Sequence, residues 1–224
     1  EAANQINGAS DVYVVTDDTR IHEASEAFGA KVIMTSTDRE NGTARVAEAV
    51  EVAALDADLI VNFQGDAPLT PPWFVEDLIS AMKADKTAQM ATPVLQCDAQ
   101  TYAMFKEDRA AGRVGGTTAV FGAEGRAIYF SKEVLPYIDA GKVPSENIPV
   151  YHHVGVYAYR PEALKAYISW PECQLEKLEG LEQLRFLYNG VAVKCVEVEA
   201  RGRLFWELNN PEDVARIEKV LAEQ

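Results

Sequence analysis

The stretch DLIVNFQGDAPL, Asp58 to Leu69, decides how the chain reads. Its apolar run Leu59-Ile60-Val61 is of the kind that forms a strand buried on both faces. A polar turn carrying Gln64, Gly65 and Asp66 follows at once. In open α/β sheets ligands gather beyond the carboxyl ends of the strands, so an aspartate there suits a metal or a phosphate. It also suits plain turn or capping duty, because Pro71-Pro72 opens a helix soon after.

Upstream, Val12 to Val15 is a short β-rich run ending at Thr16-Asp17-Asp18, and Thr19 to Phe28 follows at helical spacing before Gly29. Glu1 to Asn7 has the character of helical turns stopped by Gly8. Lys31 to Met34 gives a second strand, and Thr43 to Ala54 a helix with Val46, Ala49, Val50 and Ala53 inward. Downstream, Phe74 to Met82 is helical and Met90 to Val94 strand-like. Strand and helix alternating at this spacing predict an α/β protein with a mainly parallel, doubly wound sheet.

The second half changes grammar. Thr117 to Phe121 and Arg126 to Ser131, separated by Gly122 to Gly125, predict a β-hairpin. Val154 to Tyr159 alternates as a strand, Pro161 to Trp170 is a helix, and Leu175 to Tyr188 is a longer helix stopped by Gly190. Ala192 to Val198 is the last strand, and Asn210 caps a final helix with Pro211 at its first position.

Composition bounds the function. A chain of 224 residues with 48% hydrophobic content supports one large domain, or one domain with a small lobe. With 35 acidic against 21 basic side chains the net charge is -14, which disfavours a surface that tracks nucleic-acid phosphates. A bound nucleotide therefore needs a local basic site or a metal. Cys97, Cys173 and Cys195 are far apart and form no C-x-x-C pair, so they read as reduced core thiols of a cytosolic protein. No run approaches the roughly 18 apolar residues of a membrane span, and EAANQINGASD lacks the basic flank and apolar core of a signal peptide.

Several constellations carry possible chemistry. The acidic turns at Asp17-Asp18 and at Asp66 could share one Mg2+, or Asp18 simply caps the helix from Thr19. Between Ser36 and Arg45 the loop offers Arg39, Asn41, Gly42, Thr43 and Arg45, donors suited to an anionic or heterocyclic ligand, although an ordinary N-cap loop has the same ingredients. On a single Leu175 to Tyr188 helix, Glu182 would fall about 20° from Leu175 on the helical wheel. Arg185 would share that apolar arc, so the two charges either pair with each other at i, i+3 or meet a polar ligand. His152 and His153 are adjacent in a strand region and point oppositely, so at most one reaches any one site and a histidine metal centre is not expected.

Taken together, VVTDDTRI, VIMTS, NGTARVAEAV, IVNFQGDAPL, AIYFSK, HHVGVYAYR, LEGLEQLRFL and NPEDVARIE resemble the 3-deoxy-manno-octulosonate cytidylyltransferases, in family order across nearly the whole chain. The resemblance implies a Rossmann-like nucleotide-diphospho-sugar transferase fold of the GT-A type, with a mixed sheet and an inserted hairpin or dimerisation lobe over residues 117–150. It implies a single nucleotidyltransferase domain over 1–224, usually a homodimer, cytoplasmic, acting in lipopolysaccharide biosynthesis. The implied reaction is CTP plus the sugar acid Kdo, or a close analogue, giving the CMP-sugar and pyrophosphate with Mg2+ as cofactor. No nucleic-acid or membrane partner is implied. By matching motif, Asp66 would be catalytic and a Mg2+ ligand, with Asn209 as the second metal position. Gly42, Thr43, Arg45 and Gln64 would hold the nucleotide, and His153, Tyr157, Glu182 and Gln183 the sugar.

The chain also departs from the family. The family's first strand and its Gly/Arg-rich phosphate loop would precede Glu1. Ala67 and Ala44 stand where the family has acids, and Asn209 stands where its second metal-binding aspartate belongs. An amide oxygen coordinates Mg2+ without supplying charge, so weaker metal binding is expected. The alternatives are another sugar nucleotidyltransferase of the same fold and a non-catalytic nucleotide- or sugar-binding relative.

Overall fold

In a computed structural model, the protein is described at residues 2–114, 116–203, 205–208, 210–211 and 213–222, the side chains of 216 and 221 excepted. The elements in chain order are β1 (Tyr13–Thr16), α1 (Thr19–Ala27), β2 (Lys31–Met34), α2 (Gly42–Val52), β3 (Ile60–Phe63), α3 (Pro72–Ala84) and β4 (Met90–Gln96). They continue with α4 (Ala99–Ala110), β5 (Thr117–Phe121), β6 (Ala127–Ser131), β7 (Tyr151–His153) and β8 (Val156–Tyr159). The chain then forms α5 (Pro161–Ser169), α6 (Gln174–Glu179), α7 (Leu184–Tyr188), β9 (Val193–Glu197) and α8 (Asp213–Ala222).

The strands form two sheets. β1 and β2 make a two-stranded parallel sheet, and the other seven run in the order β3-β8-β4-β7-β5-β6, with β9 on β4. Among the described strands of the larger sheet only the β4–β9 pair is parallel, so the mainly parallel sheet expected from the alternation is corrected to a mixed one. The reason is visible in the order. β3 and β4 do run in the same direction across the α3 crossover, but the late strand β8 is inserted between them and runs against both. The expected hairpin forms as β5 and β6, and it extends this same sheet.

Three other expectations change. β3 is not buried on both faces: it pairs only with β8 among the described strands, and Ile60, Val61 and Phe63 stay half-exposed while Asn62 is buried. The single helix from Leu175 to Tyr188 is two helices, because Gly180 takes φ 63, ψ 40 and ends α6 in the left-handed conformation that glycine adopts at little cost. The last helix begins at Asp213 rather than Pro211, while Asn210 keeps a capping contact with it: its backbone amide donates to Asp213 Oδ2 (2.7 Å), and its side-chain amide is shared between Val114 O (2.9 Å) and the same Asp213 oxygen (3.2 Å). The helix α4 was not anticipated, since its buried apolar side chains are only Tyr102 and Phe105.

Helices α2, α5 and α7 cover one region of the sheet, joining Tyr159, Tyr167, Leu184 and Phe186 in one core, while α3 covers another through Phe74, Leu78 and Met82. A third cluster gathers Phe105, Ile148, Val150 and Trp206 beside α4. Burial of these side chains, each worth roughly 1.5–3 kcal/mol, holds the layers together.

Candidate functional site

Strands β7 and β8 are two halves of one path, interrupted at Val154-Gly155. On one edge both halves pair with β4, through Val94 opposite His153 and Met90 opposite Tyr159. On the other edge they part company: β8 carries β3, with Phe63 opposite Val156, while β7 carries β5, with Thr117 opposite His153. The carboxyl end of β3 and the start of β5 therefore meet over the interruption, and the sheet is split there. A cleft of about 340 Å3 occupies this split.

Its floor is a closely approached glycine. The Gly155 amide donates to Glu207 Oε1 (2.7 Å). A Cβ on Gly155 would stand 2.9 Å from that oxygen and 3.0 Å from Gln64 Oε1, closer than side chains normally tolerate. The turn after β3 is tied to the same segment, because Leu208 N donates to Asp66 O (2.9 Å). Asp66 itself is exposed at the cleft, yet the protein crowding its carboxyl desolvates it and raises its pKa.

One wall is the N-terminus of α2. Asn41 caps it, its Oδ1 accepting from Ala44 N (2.9 Å). Gly42 follows, and a Cβ there would lie 2.8 Å from Gln64 Nε2. The Thr43 amide donates to Glu182 Oε2 (2.6 Å), and Gln64 Nε2 donates to Glu182 Oε1 (2.7 Å). A carboxylate on free amides at a helix N-terminus is electrostatically favoured. Burial nevertheless pushes the Glu182 carboxyl upward, against the lowering by the Thr43 and Gln64 hydrogen bonds. The Thr43 hydroxyl is 2.7 Å from Tyr159 OH.

The opposite wall comes from β7, β8 and the α6–α7 turn. His153 Nε2 lies 3.0 Å from Thr92 Oγ1, and burial holds its pKa down at about 3, so the ring is neutral. Tyr157 OH donates to Gln183 Oε1 (3.2 Å), and burial raises the phenol far above its ordinary range. Gln183 is fully buried and its Nε2 has no protein partner. A buried donor left unpaired costs about 1–3 kcal/mol unless a ligand or water takes it. This is a donor held ready on the cleft wall.

Gly42, Thr43, Gln64, Glu182, Gln183, Tyr157, His153 and Asp66 are thus gathered at the split, Gly42 and Thr43 through the bonds just described and the other six as lining residues. Arg45 is placed elsewhere: it reaches Asp17 Oδ2 (3.0 Å) and Thr35 Oγ1 (2.9 Å), buttressing α2 on the β1–β2 sheet. Asp18 caps α1 through Arg20 N (2.8 Å), and the Arg20 guanidinium beside it brings its carboxyl down to about 2. The two aspartates after β1 are therefore occupied by arginines rather than offered to a metal with Asp66. Glu182 and Arg185 do not pair with each other, since Arg185 is bonded to Glu176. Asn209 lies outside the described residues.

Three contributors to the site carried no clear signal in the sequence. Glu207 follows no periodic pattern, and the α6 residue Glu176 is flanked by the exposed Leu175 and Lys177. Lys132 is, among the described residues lining the cleft, the one lysine or arginine, against Glu40, Asp66, Glu172, Glu176, Glu182 and Glu207. The cleft is accordingly acidic. No group of three His, Cys, Asp or Glu side chains among the described residues is arranged to hold a metal ion.

The chain matches the family described as Cytidylyltransferase over residues 1–198. The 3-deoxy-manno-octulosonate cytidylyltransferase of Maricaulis maris (strain MCS10) is 40% identical over 220 residues, covering 98% of this chain and 84% of that protein. The Escherichia coli protein of the same name is 37% identical over 202 residues, 90% of this chain and 76% of that one. A solved structure of CMP:2-keto-3-deoxy-manno-octonic acid synthetase complexed with CTP has a TM-score of 0.82 at 31% identity, covering 99% of this chain and 85% of the other.

Proposed function

Since the chain belongs to the cytidylyltransferase family, we propose that it is the nucleotidyltransferase that activates the sugar acid Kdo with CTP, giving CMP-Kdo and pyrophosphate. The observation that carries this is the convergence of two kinds of donor set on one cleft. The α2 N-terminus with Gln64 faces Glu182, while Tyr157 and the unpaired Gln183 amide stand on the wall opposite. Relatives named for this reaction, and a neighbour that holds CTP, support the reading.

The anomeric hydroxyl of the sugar acid attacks the α-phosphorus of CTP in line; an oxygen–phosphorus bond forms and the bond to pyrophosphate breaks. Reactions of this class depend on positioning and electrostatics more than on covalent work by the protein. Gly42 lets Gln64 close on the α2 backbone, Thr43 fixes that terminus through Glu182 and Tyr159, and Gln64, its Nε2 held by Glu182, offers Oε1 to the nucleotide, with Arg45 holding α2 from behind. Glu182, Gln183 and Tyr157 take hydroxyls of the sugar. His153, kept neutral, supplies a hydrogen bond without adding charge.

An acidic cleft that admits a triphosphate and a carboxylate requires a cation. Asp66 fits one: it is exposed at the cleft, desolvated, and in no ion pair among the described residues. Mg2+ suits so sparse a protein site, because it favours one or two carboxylates together with waters and substrate phosphates. When bound it would offset charge on the phosphate oxygens. Asn209, as an amide, would add an oxygen but no charge.

We also place the protein in the cytoplasm, in lipopolysaccharide precursor synthesis, as a homodimer through 117–150. No helix among the described residues is long and apolar enough to cross a membrane. Ile128 and Tyr137 in that segment are exposed at 64% and 84%, a surface suited to a second copy; a monomeric mass by light scattering at micromolar concentration contradicts the dimer.

A thermal-shift panel with Mg2+ tests the nucleotide. CTP is expected to raise Tm, by an amount equivalent to about 2.7 kcal/mol at a hundredfold excess over Kd. UTP, GTP and ATP at the same concentration are expected to leave it nearly unmoved. Equal shifts from all four, or a larger one from UTP, would favour another sugar nucleotidyltransferase of this fold.

A further inference from the structure

The N-cap of α2 is not held by local contacts alone. Asn41 Nδ2 donates to Tyr167 OH (2.8 Å) and to Glu176 Oε1 (3.3 Å), and Tyr167 OH in turn donates to Glu176 Oε1 (3.0 Å). Glu176 accepts both arms of the Arg185 guanidinium, Nε to Oε2 at 2.6 Å and Nη2 to Oε1 at 2.7 Å. The same guanidinium lies over the Tyr167 ring at 4.2 Å, donates Nη1 to Trp170 O (3.4 Å), and reaches Glu40 with Nη2 (3.5 Å). Tyr167, Glu176 and Arg185 are almost fully buried, at 0%, 4% and 4% exposure.

A buried charge pair seldom raises stability over an apolar pair of the same volume, but it does fix geometry. Here each polar valence is directed. The fork requires Arg, because a lysine could not make two parallel bonds and stack on the ring. At the far end of the chain of bonds stands the residue that fixes where α2 begins. Asn41 spends its carbonyl on Ala44 N and its amide on Tyr167 and Glu176, so its rotamer is set by α5, α6 and α7 together.

We propose that Tyr167, Glu176 and Arg185 are positioning residues that hold Asn41, and thereby the Gly42-Thr43 end of α2, in register with Gln64 and Glu182 across the cleft. Glu176 borders the cleft, but both its oxygens are taken within the network, so the three act through the cap. This deepens the proposed function, since its effect on catalysis rests on the α2 N-terminus being the nucleotide's seat. It also explains why Arg185 and Glu182, three residues apart, serve different partners: α7 sends one to the buried scaffold while the turn before it sends the other to the cleft.

The test uses the full chain and Tyr167→Phe, which deletes the bridging hydroxyl and keeps the ring against Phe186 and Arg185. Amide exchange without ligand reads the positioning directly. The Thr43 and Ala44 amides are expected to exchange about tenfold faster, with the middle of α2 unchanged, as local opening of a cap should show. With substrates, KM for CTP is expected to rise about fivefold to tenfold, the scale of one lost buried hydrogen bond, while kcat moves less than about twofold. Arg185→Lys should shift both readouts the same way. Faster exchange at Thr43 and Ala44 together with no CTP binding by wild type or variant supports the positioning and overturns the nucleotide reading instead. A lower melting temperature with amide exchange at those residues and KM for CTP as in wild type makes the network purely structural and overturns the inference.

Discussion

Glu182→Ala is expected to lower kcat/KM for CMP-Kdo formation by about a thousandfold, the scale seen when a preorganised charged hydrogen-bonding group is removed from a site. Glu182 takes the Thr43 amide at 2.6 Å and the Gln64 amide at 2.7 Å. Alanine leaves both donors without their acceptor, at about 1–3 kcal/mol each where no water replaces it. It also removes the group proposed to receive the sugar. Glu182→Gln is the finer test, because it keeps the volume and replaces one acceptor oxygen by a donor. Whichever way the amide is turned, its NH2 meets either the Thr43 N–H or the Gln64 NH2. A loss of about a hundredfold is expected for the amide, intermediate because one of two charge-assisted bonds survives in neutral form. Pyrophosphate release under matched CTP and sugar concentrations measures both, and activity within threefold of wild type for the alanine variant sinks the role given to Glu182.

Acid is expected to destabilise the fold through two histidines. Burial holds both His152 and His153 at about 3, from an ordinary value near 6.5. His152 is the sharper case: neither ring nitrogen has a partner, and Phe105, Phe205 and Trp206 surround the ring at centroid distances of 4.8, 5.1 and 5.9 Å. These are folded-state values below the unfolded ones, so the unfolded chain binds more protons between pH 6.5 and 3. Stability therefore falls as the pH is lowered through 6.5, with up to about 2.7 kcal/mol lost per pH unit for two protons. At pH 5 the loss is about 4 kcal/mol, a large part of a typical 5–15 kcal/mol. Titration of the excess carboxylates works the other way, because a net charge of -14 repels itself less as acid neutralises it. The histidine contribution is isolated by comparing urea midpoints of wild type and His152→Leu at pH 7.5, 6 and 5. The wild-type midpoint should fall more steeply, and parallel pH dependences contradict the assignment.

What the sequence made legible depended on the distance over which each feature is determined. Strands β1, β2 and β4 and helices α1, α2 and α5 are set by local apolar periodicity, and they appear within a few residues of where that periodicity predicts them. The sheet order is not local. β8 enters between β3 and β4 from nearly 60 residues away, and only its pairing with both reveals a mixed sheet split at Gly155. The break in the 175–188 segment did have a local signal in Gly180, but a glycine inside helical spacing is tolerated often enough that the wheel runs past it.

The consequence for the site is specific. Wheel geometry singled out Glu182 and Arg185 as charges on an apolar arc, and both prove to be engaged by other protein groups. Neither holds the partner the wheel suggested: Glu182 lies in the turn between two helices and Arg185 is clasped by Glu176. Asp18 followed the plain capping reading. Gln64 and Asp66 stand in the turn after β3, whose carboxyl end does face the cleft. Glu207 and the Asn41 anchor required three-dimensional contacts, since their partners Gly155 and Tyr167 are 52 and 126 residues away.

The most direct measurement of the proposed activity is pyrophosphate release from CTP by the full-length protein, with and without Mg2+, offered Kdo, its 8-amino analogue or sialic acid in turn. Release is expected to require both Mg2+ and a 3-deoxy-ulosonic acid, Kdo above all, with one CMP-sugar formed per pyrophosphate. CTP binding without release from any of these sugar acids would contradict it, and would make the cleft that of a nucleotide-binding relative without catalysis.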